Sequence, residues 1–390
     1  MGQGEQLIYL SSQKRRGVQP RFFICNMKLT GDFNMAKFKV MVVGTGKRGK
    51  HHVAAFKANP DFEVVGLCDI NMDMLNAAAE SLGLQNVVKG TDAAKMADEL
   101  KPDVFCFCTM PKIRYDMVKI AVDCGAKLVA FEKPIGENMH EAIKVKQLID
   151  QSGIKAVVSH QHRYGVHYQK VKEIAASGKL GRIQMVYATA TGWMAHMMSH
   201  MIDYMSWYND YADIQWVMGQ AAGKGKMNDN HPSPDFIVGV VQYANGVRGY
   251  VECGAGAPDQ PEVEKWWGKN RIGIQGTEGF AEVLTNGGWR AVTSDGVQSG
   301  AGAMNYDLDM PHYINDIAAW LKDNSNIHEC CFANAYKGFE AMMGIMRSAA
   351  NGGQIAMPVT DGQNELELLR ASLPDVPVIA NPVNVKEFLG

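Results

Sequence analysis

Two histidines and an aspartate, His196, His200 and Asp203, stand at spacings of four and three in GWMAHMMSHMIDYMSW, residues 192–207. On an α-helix these spacings put the three side chains on one stripe, within roughly a 60° sector. Trp207 falls on the same stripe. Such a line can hold a metal, move a proton or form a polar seam in a core. Two imidazoles at i, i+4 suit a metal, but the Glu of the H-E-x-x-H pattern is missing, so no metal is expected. The other face carries Met197, Met201, Tyr204, Met205 and Tyr208 and reads as the core side, which leaves the polar stripe for a cleft.

Two further groups can do chemistry. KLVAFEKPIG places Glu132, Lys133 and Pro134 at the carboxyl end of a strand, the edge at which open α/β sheets bind ligands. Pro134 removes a donor and stiffens the turn, fixing where Lys133 points. VVGTGKRG supplies Gly44, Gly46 and Gly49 in the G-x-G-x-x-G spacing, with Lys47 and Arg48 inside it, and Asp69 ends the next strand 25 residues after Gly44. The physical logic is a tight turn, close backbone approach to a pyrophosphate, and a helix N-terminus facing the anion. Asp69 accepts hydrogen bonds from the adenosine ribose. No Arg follows it in CDINMD to meet a 2′-phosphate, so NAD is favoured over NADP.

These residues need elements to hold them. From Lys37 onward strand-like runs (KFKVMVV, FEVVGLCD, DVFCFCT, KLVAFEKP, KAVVSHQ) alternate with helical stretches at 71–83, 115–124 and 139–151. Strands separated by helices of this length predict βαβ units and a doubly wound, parallel Rossmann sheet over residues 37–159. After residue 160 the pattern changes. A helix near 166–177 leads into RIQMVYATATG, and after the histidine helix two Asn-Gly signals, QYANGVRGYVECGA and AEVLTNGGWRAV, predict hairpins. Late helices are expected near 312–322 and 333–351. Residues 160–390 therefore read as a substrate-binding and oligomerisation α/β domain with an open, mainly antiparallel sheet.

Composition narrows the class. Of 390 residues 46% are hydrophobic and 21% charged, and the net charge is −2, so no global field points to nucleic acid or an anionic membrane. No run of about 18 apolar residues exists to span a bilayer. The eight cysteines lack C-x-x-C spacing, and they read as small core residues in a reducing, cytoplasmic compartment. The first 36 residues are basic and irregular, without the apolar run of a secretory signal; Met35 reads as the natural start and 1–36 as an extension.

The glycine fingerprint, Asp69, the Glu-Lys-Pro turn and the later His-x-x-Asp together resemble the Gfo/Idh/MocA oxidoreductases over about residues 37–358. Those are two-domain, nicotinamide-dependent enzymes acting mainly on sugars, inositols and related polyols. The resemblance implies that Lys133 works beside the nicotinamide, bonding the hydroxyl that becomes a carbonyl. It also implies substrate roles for Arg163 in HQHRYG and for His200 and Asp203, and a cofactor contact for Thr109 together with Glu132. One departure lies in TMPKIR, where the family usually shows Thr-Pro-Asn with a later His and this chain has Met110, Pro111 and Arg114.

Hydride removal from a secondary alcohol needs a base for the hydroxyl proton and a donor for the developing alkoxide. His200 and Lys133 fit those roles, and Asp203 can orient the substrate or the imidazole. Many family members carry an acid four residues before this histidine; here it is His196, which reads as a further catalytic and substrate-contacting group. A carboxylate there would raise the pKa of His200, and a charged imidazole would lower it. Trp193, Trp266 and Trp267 offer flat indoles for a sugar ring. The expected function is hydride transfer between NAD and a secondary hydroxyl of a sugar, cyclitol or related polyol. The alternative is a redox-neutral glycosidase or lyase whose bound NAD oxidises a ring carbon transiently. A non-catalytic NAD sensor is a third class, which the intact Lys133 and His200 argue against. Alternating apolar residues in FIVGVVQY predict a subunit contact in a homodimer or homotetramer.

Overall fold

The computed structural model describes residues 36–375 and Val378, so the N-terminal extension and the start read at Met35 lie outside it apart from Ala36. The chain opens with β1 (Phe38–Val43), α1 (Lys47–Ala58), β2 (Phe62–Cys68), α2 (Met72–Ser81), β3 (Val88–Gly90) and α3 (Ala93–Leu100). It continues through β4 (Val104–Phe107), α4 (Arg114–Asp123), β5 (Leu128–Glu132), α5 (Met139–Ser152) and β6 (Lys155–Ser159). The six strands form one sheet in the order β3-β2-β1-β4-β5-β6, every pairing parallel. The runs VFCF of β4 and LVAFE of β5 are buried at every position because helices cover both faces. Strand order reverses between β1 and β4, which opens a crevice at the carboxyl edge. Side chains of Asn71, Asp92 and Asn138 cap α2, α3 and α5.

The second half holds α6 (Val166–Ala176), β7 (Ile183–Ala190), α7 (Met194–Tyr208), β8 (Ile214–Ala222), β9 (Phe236–Tyr243) and β10 (Arg248–Gly254). There follow β11 (Asn270–Gly276), β12 (Phe280–Leu284), β13 (Gly288–Thr293), β14 (Gly296–Gly300), α8 (Tyr306–Lys322), α9 (Phe332–Asn351), β15 (Ile355–Ala356) and α10 (Glu365–Ser372). Nine strands make an open sheet, β14-β13-β12-β11-β7-β10-β9-β8-β15, antiparallel except where β10 runs beside β7. Both Asn-Gly segments form the expected hairpins, β9–β10 and β12–β13. Inward residues such as Val217, Val241 and Ile272 share a core with Met205 of α7 and Ile345 of α9. On the opposite face Met218, Val240 and Tyr250 stand in cross-strand register and remain 43%, 39% and 36% exposed.

Helix α8 crosses back to the first sheet. Met310, Tyr313, Ile314 and Ile317 pack in one core with Val40, Val42, Val53 and Phe56. The helix begins at Tyr306, earlier than the expected start near 312, because Asn305 caps it through the Asp307 amide. Burial of Met310 and Tyr313 offsets the one hydrogen bond the proline cannot make. Among the described residues no helix is long and apolar enough to cross a membrane, and the seven cysteines are free.

Candidate active site

The glycine-rich loop leaves β1 at Gly44, whose φ is +84°; a Cβ there would lie 2.6 Å from the Cys108 carbonyl oxygen. At Gly49 a Cβ would lie 1.8 Å from the Gly44 oxygen, so α1 can pack on the loop only without a side chain. Gly46 differs: a Cβ built there meets nothing within 4 Å. It stands at the N-cap of α1 without a side-chain cap, and the first turn holds Lys47 and Arg48 but no acid. Free backbone N–H groups, two cations and an open approach fit a pyrophosphate. At the end of β2, Asp69 Oδ2 accepts from Thr45 N at 2.6 Å and Thr45 Oγ1 at 3.0 Å, and Oδ1 accepts from Asn71 N at 3.0 Å. These bonds fix the carboxylate while leaving lone pairs for ribose hydroxyls. Thr109, just past β4 on the same edge, has a buried hydroxyl without a protein partner. The residues present therefore fit a dinucleotide.

Lys133 follows β5 at the same edge. Arg114 braces its turn, donating from Nε to the Pro134 carbonyl at 3.1 Å and from Nη2 to the Lys133 carbonyl at 3.4 Å. The departure from the family pattern at this position thus supports the Glu-Lys-Pro turn. Glu132 turns away into the sheet and accepts from His52 Nε2 at 3.2 Å. Burial opposes that carboxylate's charge, but His52 outweighs it and holds the pKa at about 2. Lys133 is pulled down to about 8, chiefly by burial, with Glu132 opposing and Arg48 and Arg114 adding to the fall. Its ammonium donates to the carbonyl oxygen of His196 at 2.7 Å.

The histidine stripe lies on α7, but Met197, Met201 and Tyr204 of the expected core face line the cleft as well, because the cleft wall follows the N-terminal part of the helix. His196 and His200 line a cleft of about 200 Å³ together with Lys133, Lys47, Arg48 and Tyr306. Trp266 and Trp267 also line it, whereas Trp193 sits behind, tilted against Trp266 at 5.6 Å. Asp203 and Trp207 lie about one and two turns past His200 and run out behind the cleft wall. Asp203 Oδ2 accepts from Arg163 Nη2, both side chains fully buried. Arg163 also donates to the Glu329 carbonyl at 2.9 Å, with its guanidinium 5.2 Å from the Trp207 ring centroid. The structure thus brings Lys133, His196 and His200 together in the cleft and pairs Arg163 with Asp203 beneath it.

His200 Nδ1 lies 3.2 Å from Tyr204 Oη. Burial holds its pKa well below the usual histidine value, and Lys133, His160 and His162 push the same way. His196 is lowered to about 4, first by burial and then by Lys133 and His231. Four groups at this site escaped the sequence reading. His160 and His162, with rings 5.1 and 5.8 Å from that of His200, follow β6 in SHQHRYG, and their place at a strand's carboxyl end was the available signal. His231, 4.5 Å from His196, arrives from a distant loop, and Tyr306, stacked on His51 at 4.5 Å, from the first turn of α8; no local pattern marks either. Among the described residues one side-chain group is close enough to share a metal ion, His52, Cys106 and Cys108, and it lies off the histidine stripe.

Residues 38–160 match the oxidoreductase family with an NAD-binding Rossmann fold, and residues 168–282 match the GFO/IDH/MocA C-terminal domain. The chain belongs to the Gfo/Idh/MocA oxidoreductase family. It is 26% identical over 270 residues to the y4oX protein of Sinorhizobium fredii, covering 63% of this chain and 72% of that one. It is also 26% identical over 153 residues to the D-glucoside 3-dehydrogenase of Escherichia coli, covering 39% of this chain and 43% of that enzyme. The match thus spans less than half of the second relative. Levoglucosan dehydrogenase, solved with NADH and levoglucosan, shares the fold with a TM-score of 0.71 at 17% identity, over 83% of this chain and all of that one.

Proposed function

We propose that this protein is an NAD-dependent dehydrogenase that transfers hydride between the nicotinamide and a secondary hydroxyl of a sugar, cyclitol or related polyol. The observation that carries this reading is one cleft lined by Lys133, His196 and His200 together with Lys47 and Arg48 of the nucleotide loop. Gly44, Gly46, Gly49 and Asp69 would hold the cofactor with Lys47 and Arg48, and Thr109 would add a hydroxyl contact. Bound NAD supplies the hydride acceptor. Lys133, still protonated at neutral pH, stabilises the oxygen as it gains charge. His200 is neutral there; with its Nδ1–H donating to Tyr204 Oη, Nε2 is left to accept the hydroxyl proton. Arg163 and Asp203 act as positioning residues that anchor α7 from behind. The seven described cysteines, all unpaired, suit a cytoplasmic enzyme.

The direct test is a turnover screen of sugars and cyclitols with NAD and with NADP, followed by reduced-nicotinamide absorbance. We also propose a homo-oligomer built on the outer face of the nine-stranded sheet, where Met218, Val240 and Tyr250 form an exposed row. Light scattering at micromolar protein tests it, and a monomeric mass contradicts it.

A further inference from the structure

Among the described residues the cleft has cations and imidazoles on its walls but no acid. None of its lining residues is an Asp or a Glu, while Lys47, Arg48 and Lys133 all reach it. The buried carboxylates behind the wall are already engaged: Glu132 with His52, Asp203 with Arg163, and Asp309 with His162 Nδ1 at 3.1 Å. Asp229, on the loop that carries His231, stands 4.0 Å from Lys226. A neutral polyol offers a hydrogen for every hydroxyl oxygen, and protein carboxylates are the strongest acceptors for those hydrogens. Here Asn270 Oδ1, buried and without a protein partner, is an acceptor on the wall, while Lys47, Arg48 and Lys133 can only donate.

Bound cofactor does not cancel this excess on the substrate side. Lys47 and Arg48 at the head of α1 would face the pyrophosphate, and an oxidised nicotinamide ring itself carries a positive charge. Lys133 would therefore remain uncompensated beside such a ring, with His196 and His231 facing each other at 4.5 Å nearby. In a partly enclosed cleft, charge of one sign selects a ligand of the other.

We infer that the preferred substrate is a sugar acid, a uronate or aldonate, whose carboxylate sits against His196 while Lys133 attends the reacting hydroxyl. This deepens the dehydrogenase reading and rests on it for the polyol part of the substrate. The depressed pKa values of His196 and His231 agree with it: burial comes first in both and Lys133 next, and an anion would reverse the second cause. Asp229 is the acid that opposes Lys133 at both rings, and its contact with Lys226 tempers it.

Calorimetry on the NAD-saturated protein tests the inference without turnover. D-glucuronate and D-galacturonate are compared with D-glucose and D-galactose at low and at about 200 mM salt. At least one uronate should bind about tenfold tighter than its neutral partner, with the margin shrinking as salt rises. His196→Asp should abolish that margin, and His196→Gln, which changes shape similarly without adding charge, should keep most of it. Thermal melting and NAD binding check that both variants are folded. Neutral sugars binding as tightly as the uronates, or no binding of any of the four, overturns the inference. A uronate that binds tightly but yields no NADH leaves the inference standing and counts against the dehydrogenase reading alone.

Discussion

Lys133 Nζ donates to the main-chain oxygen of His196 at 2.7 Å, joining the carboxyl edge of the six-stranded sheet to the first turn of α7. The bond holds an ammonium group in the cleft between the glycine-rich loop and the two histidines. Because the acceptor is backbone, the link is indifferent to the side chain at 196. Substitutions at His196 therefore probe substrate contact without removing the lysine's anchor.

Replacing the cation is the sharpest test of its role. Lys133→Met should lower kcat by roughly 10²- to 10³-fold, the usual loss when a charge-stabilising donor is removed. NAD affinity should stay within about threefold, since the group acts mainly on the transition state. Stopped-flow turnover and calorimetry measure the two quantities. Near-normal turnover would remove Lys133 from the chemistry.

The pH profile follows from two lowered pKa values. Lys133, at about 8, is a cation below that pH, and His200, held well below the usual value by burial first, is already neutral throughout the neutral range. Hence kcat/KM should stay level from about pH 7.5 down past 6.5 and fall about tenfold per unit well above 8. A rising limb centred near 6.5 would mean that the base is an ordinary histidine. Stability gives a second readout. Because the folded pKa of Lys133 lies below the value of 10.5 for a free lysine, the unfolded chain binds more protons between the two. The melting temperature of wild type relative to Lys133→Met should therefore rise with pH across that window.

Much of this arrangement was readable from the chain because it is local. The alternation of buried runs such as VFCF with helices, the glycine spacing and the four-residue step from His196 to His200 each describe one element. What sequence patterns do not carry is which elements meet. Arg163 and Asp203 both stood out, but they are 40 residues apart and their mutual pairing turns two apparent substrate contacts into a buried brace. Glu132 likewise finds His52 across 80 residues. Strand β3, three residues long at the sheet edge, is too short to leave a period.

The buried brace has its own signature. Asp203→Ala strands the Arg163 guanidinium, which is fully buried, and should cost about 3–5 kcal/mol of stability. Urea unfolding monitored by circular dichroism reads this as a lowered midpoint. A loss below about 1 kcal/mol would indicate that Arg163 finds water or another partner.

Asp69 sets the cofactor preference. Its carboxylate, fixed by Thr45 and Asn71, repels a 2′-phosphate, and Ile70 after it is 94% exposed with no cation to offer. NAD should bind tighter than NADP, and Asp69→Ala should narrow the gap by about tenfold. Tighter binding of NADP to the wild-type protein would contradict this.

Whether hydride leaves the active site decides the central point. A dehydrogenase releases reduced cofactor at every turnover, whereas an enzyme that oxidises a sugar only transiently returns the hydride and needs NAD in catalytic amounts. The measurement is reduced-nicotinamide absorbance during turnover of an active sugar, set against product formed in the same cuvette. One NADH per molecule of ketone product is the expected result. Glycoside cleavage with no net NADH, and with solvent deuterium at the carbon beside the transient carbonyl, would contradict it.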